Sequence, residues 1–234
     1  YYDGVFHLVT AAKGAAEFYT TENNAARTET PEEAIVKDDN CIIAWTGHSH
    51  FRIIDNESKS FKEKISKLIK EIYMLLGIPV PIETERKYLI NFPNIDEITT
   101  KYNATKIQII QTYLKSNDPL IERRIRQRGS EGEYTYYYTE KKKVNDISRE
   151  ETERRISESE YLEYLMDADT TLKQIRKDRY CFVYKGQYFE LDIYPFWNDK
   201  AILEIELTEE TQNVSLPPEL TVIKEVTEDP KYKN

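Results

Sequence analysis

The chain has 234 residues, a net charge of −9, 39% hydrophobic residues and a mean hydropathy of −0.69. That length accommodates one large or two modest domains, and no apolar run approaches the ~20 residues that a membrane-spanning helix needs. The acidic balance argues against general nucleic-acid binding but leaves room for a small polyanion held by locally clustered bases.

The chain opens Tyr1-Tyr2-Asp3, with no Met and no charged-then-apolar leader, as a fragment or trimmed product would. Residues 2–9 read as a buried strand, and 42–45 and 50–54 are further apolar islands. His48 and His50 flank a serine, but no cysteine or carboxylate lies in register to complete a metal set. Cys41 and Cys181 lie far apart, which suggests a reducing, cytoplasmic compartment and no disulfide framework. Ser60 and Glu63 form a capping box for a helix whose apolar stripe is Ile65, Leu68, Ile69, Ile72, Leu75 and Leu76. Gly77 and Pro79 end that helix. Pro79-Val80-Pro81 is a stiff linker, and the domain boundary is placed there.

Beyond it the hydrophobic period switches to two. Eight candidate strands follow, at 82–90, 107–115, 120–128, 133–143, 148–156, 178–185, 188–194 and 201–208. Residues 157–168 read as a short helix with Ser157 and Glu160 as its capping box, and Tyr184-Lys185-Gly186-Gln187-Tyr188 marks a hairpin turn. Many strands and few helices suggest an antiparallel sheet that curls or closes.

Charge runs along these strands in rows. Alternation places Glu83, Glu85 and Lys87 on one face of the first strand. Glu122, Arg124, Arg126 and Arg128 share a face, as do Lys141 and Lys143, then Arg149, Glu151, Glu153 and Arg155. Lys177 pairs with Arg179 and Glu190 with Asp192. Glu204 and Glu206 interleave with Leu203, Ile205 and Leu207, so their face is opposite the core. Rows of unpaired charge do not pack into oil. They line either a solvated, salt-bridged sheet or a polar tunnel in which bases bind an anion and acids bind a metal. Phosphate chains call for both: cations on several oxygens, and Mg²⁺ or Mn²⁺ bridging them. Arg128, Lys142 and Lys143 sit near turns and read as solvated charges.

These motifs, in this order, resemble the CYTH superfamily, the triphosphate tunnel metalloenzymes. Glu83-Thr84-Glu85-Arg86-Lys87 is similar to its E-x-E-x-K signature, Gln111-Thr112-Tyr113-Leu114 to Q-x-Y-L, and Arg124 with Arg126 to R-x-R. Thr139-Glu140-Lys141 resembles T-x-K, and Arg149 to Glu153 resembles R-x-E-x-E. Lys177 to Tyr180, Phe189 to Asp192 and Leu203 to Leu207 follow in the family's order, and residues 225–234 resemble its closing E-V-T-x-D-x-x-Y-x-N segment. The resemblance covers roughly 82–234. It implies an α+β fold built on a closed antiparallel eight-stranded β-barrel, a tunnel with flanking helices. Its implied activity is hydrolysis of a linear triphosphate, most like the inorganic triphosphatase branch. A class IV adenylyl cyclase, a thiamine triphosphatase and a non-catalytic polyphosphate-binding module are the alternatives.

The resemblance also implies the site. Glu83, Glu85, Glu204 and Glu206 would hold Mg²⁺ or Mn²⁺, with Glu151, Glu153 and Asp192 as further ligands. Arg124, Arg126, Lys141, Arg149, Lys177 and Arg179 would clamp the phosphates. Lys87 and Tyr113 would orient or deprotonate the attacking water, although Lys87 can equally bind phosphate and Tyr113 can equally pack. The partner is a small-molecule triphosphate, with no nucleic acid and no membrane. Residues 1–78 resemble the C-terminal part of a P-loop NTPase-like domain, an α/β fragment without its G-x-x-x-x-G-K-[ST] loop. Arg27 would be a lid arginine there, or an ordinary loop residue.

Overall fold

The computed structural model describes residues 2–21, 27–57, 60–76, 84–130, 132–143, 149–207, 212–227 and 229–232. The first part is a small α/β unit. Strands β1 (Val5–Leu8) and β2 (Phe51–Ile54) pair in parallel, as strands separated by a crossover helix can. The crossover is α1 (Pro31–Trp45), which starts on a full capping box from Thr30 and Glu33 with Pro31 in its first turn. Residues 42–45, an apolar island in the sequence, are its last turn. The strand expected at 2–9 is shorter and only half-buried, with Leu8 exposed.

Helix α2 (Phe61–Leu75) begins where expected, with the Ser60 hydroxyl accepting the Glu63 N–H. Its apolar stripe is incompletely covered. Ile69 and Leu76 are exposed, and the buried positions are Lys64 and Glu71. Lys64 donates to the Val9 carbonyl at 2.7 Å and to Asn56 Oδ1 at 2.5 Å, so a charged contact docks this helix on β1. The 79–81 linker lies outside the described residues.

The second part is one antiparallel sheet. In chain order it comprises β3 (Thr84–Asn91), α3 (Ile95–Tyr102), β4 (Thr105–Leu114), β5 (Ile121–Ser130), β6 (Glu133–Lys143), β7 (Arg149–Ile156), α4 (Glu158–Leu165), β8 (Ile175–Tyr184), β9 (Gln187–Ile193), β10 (Lys200–Leu207) and β11 (Val222–Glu225). The spatial order is β11-β3-β10-β9-β8-β4-β5-β6-β7. All the candidate strands are present. The expected closed eight-stranded barrel is not what forms. The sheet has nine strands, and its edge strands β11 and β7 are not paired with each other among the described residues. Strand β11 covers the edge of β3 that would otherwise seek a closing partner.

The sheet is nevertheless strongly curled. His50 lies 3.7 Å from Glu153 on β7, and Arg52, two residues on, lies 2.7 Å from Glu206 on β10. A flat sheet would hold β7 and β10 about 29 Å apart, six spacings of ~4.8 Å. The curl brings them within reach of one short segment.

Most of the hydrophobic core lies outside this curl, with smaller apolar clusters around Leu89 and Ile202 and around Ile107 and Ile109 on the inner face. Tyr88, Ile90, Phe182, Phe189, Leu191, Leu203, Ile205 and Leu207 pack with Ile98 of α3 and with Leu220. Farther along the same face, Leu114, Ile125 and Ile156 pack on Tyr161 of α4. Each large side chain fully buried here contributes ~1.5–3 kcal/mol. Helix α4 carries the complete Ser157–Glu160 capping box. Ser157→Ala should therefore lower stability by ~1 kcal/mol, measured by urea unfolding, since it strips a partner from the Glu160 N–H. The β8–β9 turn is also as expected. Lys185 and Gly186 have φ of 49° and 73°, the two left-handed residues of a type I′ hairpin.

Candidate active site

Strand register settles which residues share the inner face. Arg126 pairs with Gln111 and Arg124 with Tyr113. Lys141 pairs with Glu122 and with Glu151, and Thr139 with Arg124 and with Glu153. Arg179 pairs with Ile107 and with Asp192, and Glu204 pairs with Glu190 and with Lys87. Paired residues project to the same side. The charged rows are thus one surface, opposite the core, running from β3 to β7.

On β3 and β10, Glu85 faces Glu206 and Lys87 faces Glu204. Lys87 Nζ lies 3.2 Å from Glu85 and 3.3 Å from Glu204. Burial opposes its charge, but these two carboxylates outweigh burial and hold the ammonium pKa above the ordinary lysine value. In this arrangement Lys87 is a firm cation rather than a base. Glu204 also receives Arg179 at 2.7 Å. Burial would raise its pKa, but Lys177, Lys87 and Arg179 together hold it far below the usual carboxylate range.

Arg179 is the hub of this wall. It meets Asp192 through two nitrogens, at 2.6 and 2.7 Å, and also bonds Glu190. Asp192 receives Lys177 at 2.5 Å as well. The two basic groups fare differently. Burial works against both, but Asp192, Glu190 and Glu204 raise Arg179 well above its ordinary value. Lys177 ends below the lysine norm, through burial and the neighbouring Arg179 charge.

The second wall is built from β4 to β7. Lys141 lies 2.5 Å from Glu151, and Arg124 lies 3.5 Å from it. Arg126 donates to Gln111 Oε1 at 3.3 Å and stands 3.8 Å from Glu153. Glu153 accepts the Thr139 hydroxyl at 2.8 Å. Burial and repulsion from Arg124 and Arg179 push the Arg126 pKa down. Its Nε is buried and has no hydrogen-bond partner among the described residues. A guanidinium in that condition is incompletely compensated and suits an incoming anion.

Tyr113 lies on this second wall, where its hydroxyl accepts from Gln111 at 3.3 Å. Burial and the Glu122 charge raise its pKa. No hydrogen bond joins Tyr113 to Lys87 among the described residues. Glu83 and the Arg149 side chain lie outside the described residues.

The sequence reading missed several groups on the same face. Arg128 was read as solvated, but it is buried and donates to the Gly47 carbonyl at 3.3 Å. Glu190 stood in a charged row without a role. Glu122 has a buried Oε1 with no hydrogen-bond partner among the described residues. Arg52 and His50 come from the first part of the chain, and no local pattern pointed to them. The only signal for Arg128 was its parity with Arg124 and Arg126.

His50 yields a pH prediction. Burial pushes its imidazole down to about 4, against the pull of Glu153. The folded value lies below the unfolded value of ~6.5, so the unfolded chain binds the proton first. The resulting stability is present above ~6.5 and is lost as pH falls toward about 4. Urea unfolding at pH 7 and pH 4.5 should show wild type losing about 2 kcal/mol more than His50→Gln.

The carboxylates form an all-oxygen donor set, the chemistry that suits Mg²⁺ or Mn²⁺. Among the described residues, which leave out the expected ligand Glu83, no group of three His, Cys, Asp or Glu side chains is placed to hold a metal ion. Glu85, Glu204 and Glu206 instead each carry an ammonium or guanidinium partner. No helix among the described residues is long and apolar enough to cross a membrane.

The chain is similar to known proteins over this same region. Over 156 residues the chain is 33% identical to an inorganic triphosphatase of Nitrosomonas europaea, an alignment spanning 65% of this chain and 93% of that one. A crystal structure of an inorganic triphosphatase is 28% identical, covering 65% of this chain and 91% of the other, with a TM-score of 0.43. A protein of Pyrococcus horikoshii OT3 is 21% identical over 53% of this chain and 80% of its own, with a TM-score of 0.38. The model of the CYTH domain matches residues 81–232. That match takes in the whole nine-stranded sheet and its charged inner face, and the chain belongs to the CYTH domain family.

Proposed function

We propose that this chain is a metal-dependent hydrolase of a linear triphosphate, with inorganic tripolyphosphate as its substrate. The observation that carries the reading is Arg126, a half-buried guanidinium repelled by its neighbours, whose buried Nε has no hydrogen-bond partner among the described residues. The similarity to an inorganic triphosphatase supports the choice of substrate.

Arg124, Arg126 and Lys141 on one wall and Lys177 and Arg179 on the other would hold the phosphate oxygens, and the family resemblance adds Arg149 to this set. They orient the chain and offset the charge that grows on the leaving oxygen. Water attacks the terminal phosphorus, a P–O bond forms, and the bridging P–O bond breaks. Pyrophosphate and orthophosphate leave, and the water proton passes to solvent. Positioning and electrostatics supply most of the acceleration in such transfers, so no covalent nucleophile is needed. Lys87 acts as a further fixed cation, and Tyr113 as a hydroxyl held toward the substrate by Gln111.

Glu85, Glu204 and Glu206, with Glu83, would hold Mg²⁺ or Mn²⁺, and Asp192, Glu151 and Glu153 would support them. When bound, the ion neutralises phosphate charge and polarises the scissile bond. We also read residues 1–78 as the C-terminal part of a P-loop NTPase-like domain, a reading supported by the parallel β1–β2 pair across α1.

A phosphate-release panel over tripolyphosphate, pyrophosphate, ATP and thiamine triphosphate, with Mg²⁺, Mn²⁺ and EDTA arms, tests the proposal. Release from tripolyphosphate that EDTA abolishes is expected. Cyclic AMP formed from ATP without phosphate release overturns it in favour of a cyclase. Tight binding of tripolyphosphate with no release makes the chain a binding module.

A further inference from the structure

Residues 47–52 lie against the inner face of the large sheet. The Gly47 carbonyl accepts from Arg128, Ser49 bonds the Tyr137 hydroxyl at 2.6 Å, and His50 approaches Glu153. Phe51 is buried edge-on against Tyr188. Each of these partners is on the side that carries the proposed site. The α/β unit therefore stops one end of the curled sheet and places its own side chains there.

Arg52 is the consequential one. Its Nη2 lies 2.7 Å from Glu206, and its Nε lies 3.2 Å from Glu71 of α2. A single guanidinium thus bridges a carboxylate of the acidic wall and a carboxylate of the N-terminal unit. Its planar fork holds both without losing its charge, since the two acids outweigh the effect of burial. Glu206 stands opposite Glu85, and both line a cleft with Arg52 and Glu71. A divalent cation entering at Glu206 meets a resident positive charge on the same carboxylate.

We propose that Arg52 is a tethered counter-cation of the acidic wall, and that the Arg52–Glu206 contact and metal loading at Glu206 exclude one another. Glu71 keeps the guanidinium when Glu206 is given up. The inference rests on the reading of Glu206 as a metal ligand. It adds that the N-terminal unit sets metal affinity, and linkage makes the effect mutual: metal loosens the grip of that unit on the sheet.

The test is Mn²⁺ binding to the full chain without substrate, followed by the electron paramagnetic resonance of free Mn²⁺. Arg52→Gln should bind Mn²⁺ about fivefold more tightly, the ratio expected for removing one partly exposed ion pair. Glu71→Gln should bind it about two- to fivefold more weakly, because the guanidinium is then left to Glu206 alone. Opposite shifts in the two variants support the proposal. Unchanged affinity in both overturns it, as does weaker binding in Arg52→Gln, which would make Arg52 a support for Glu206. If circular dichroism shows Arg52→Gln unfolded, Glu71→Gln decides, with unchanged or tighter binding overturning the proposal. A wild-type chain that takes up no Mn²⁺ overturns the metal assignment itself, an outcome distinct from any ratio between variants.

Discussion

Arg126→Ala should lower kcat/KM for tripolyphosphate by about 10²–10³-fold, the range seen when a preorganised charge-stabilising donor is removed. It should do so without lowering Tm. The reason lies in how this guanidinium is held. Its partners are a 3.3 Å bond to Gln111 and a 3.8 Å approach to Glu153, while Arg124 and Arg179 repel it. Deleting a half-buried charge that its surroundings oppose costs the fold little, whereas the substrate loses a donor aimed at it. Steady-state phosphate release and a thermal melt check the pair of outcomes. A melt shifted down with kcat/KM retained would make Arg126 a structural residue and remove the main support for the phosphate clamp.

Arg179→Ala should behave in the opposite sense and unfold the protein more readily, by about 3–5 kcal/mol. Arg179 is buried and serves Asp192, Glu190 and Glu204 at once. Its removal leaves carboxylates on neighbouring strands with less compensation, and breaking one side of a buried ion network exposes the full desolvation cost of the other. Urea unfolding measures it. A loss under ~1 kcal/mol would mean that water already screens this wall. Of the two proposed phosphate contacts, Arg179 is thus also a structural hub, while Arg126 contributes little to the fold.

Much of this surface was readable because strand alternation is strict. Parity alone put Glu85 with Lys87, Arg124 with Arg126, and Glu204 opposite the Leu203–Ile205 core, and the register agrees at each position. The edge of the sheet was not readable. Val222 to Glu225 is exposed throughout, so β11 has no apolar alternation to announce it. Helix α3 spans two turns and rests on the Asn94 cap and a left-handed Asn103, signals weaker than a long stripe. For α1, the capping signal at Thr30-Pro31-Glu32-Glu33 is local, while its last turn, residues 42–45, reads alone as an isolated apolar island. The contacts of Arg52 and His50 join positions more than a hundred residues apart, and a single sequence carries no local trace of such pairings. The joint role of Lys87 and Tyr113 likewise rests on likeness alone, and no hydrogen bond joins the two among the described residues.

Most of the core lies on the outer side of the same strands whose inner side carries the charges, and smaller apolar clusters around Leu89 with Ile202 and Ile107 with Ile109 share the inner side. Folding information and chemical information are therefore interleaved residue by residue: Leu203 beside Glu204, Ile205 beside Glu206, Ile125 between Arg124 and Arg126. A library that randomises the charged inner positions other than the Arg179 network, and keeps the inner apolar residues Leu89, Ile107, Ile109, Cys181 and Ile202, should yield mostly folded proteins with altered ligand preference. One that randomises the alternate positions should yield mostly aggregates. Such a sheet is an evolvable platform, on which a new anion can be selected without rebuilding the scaffold.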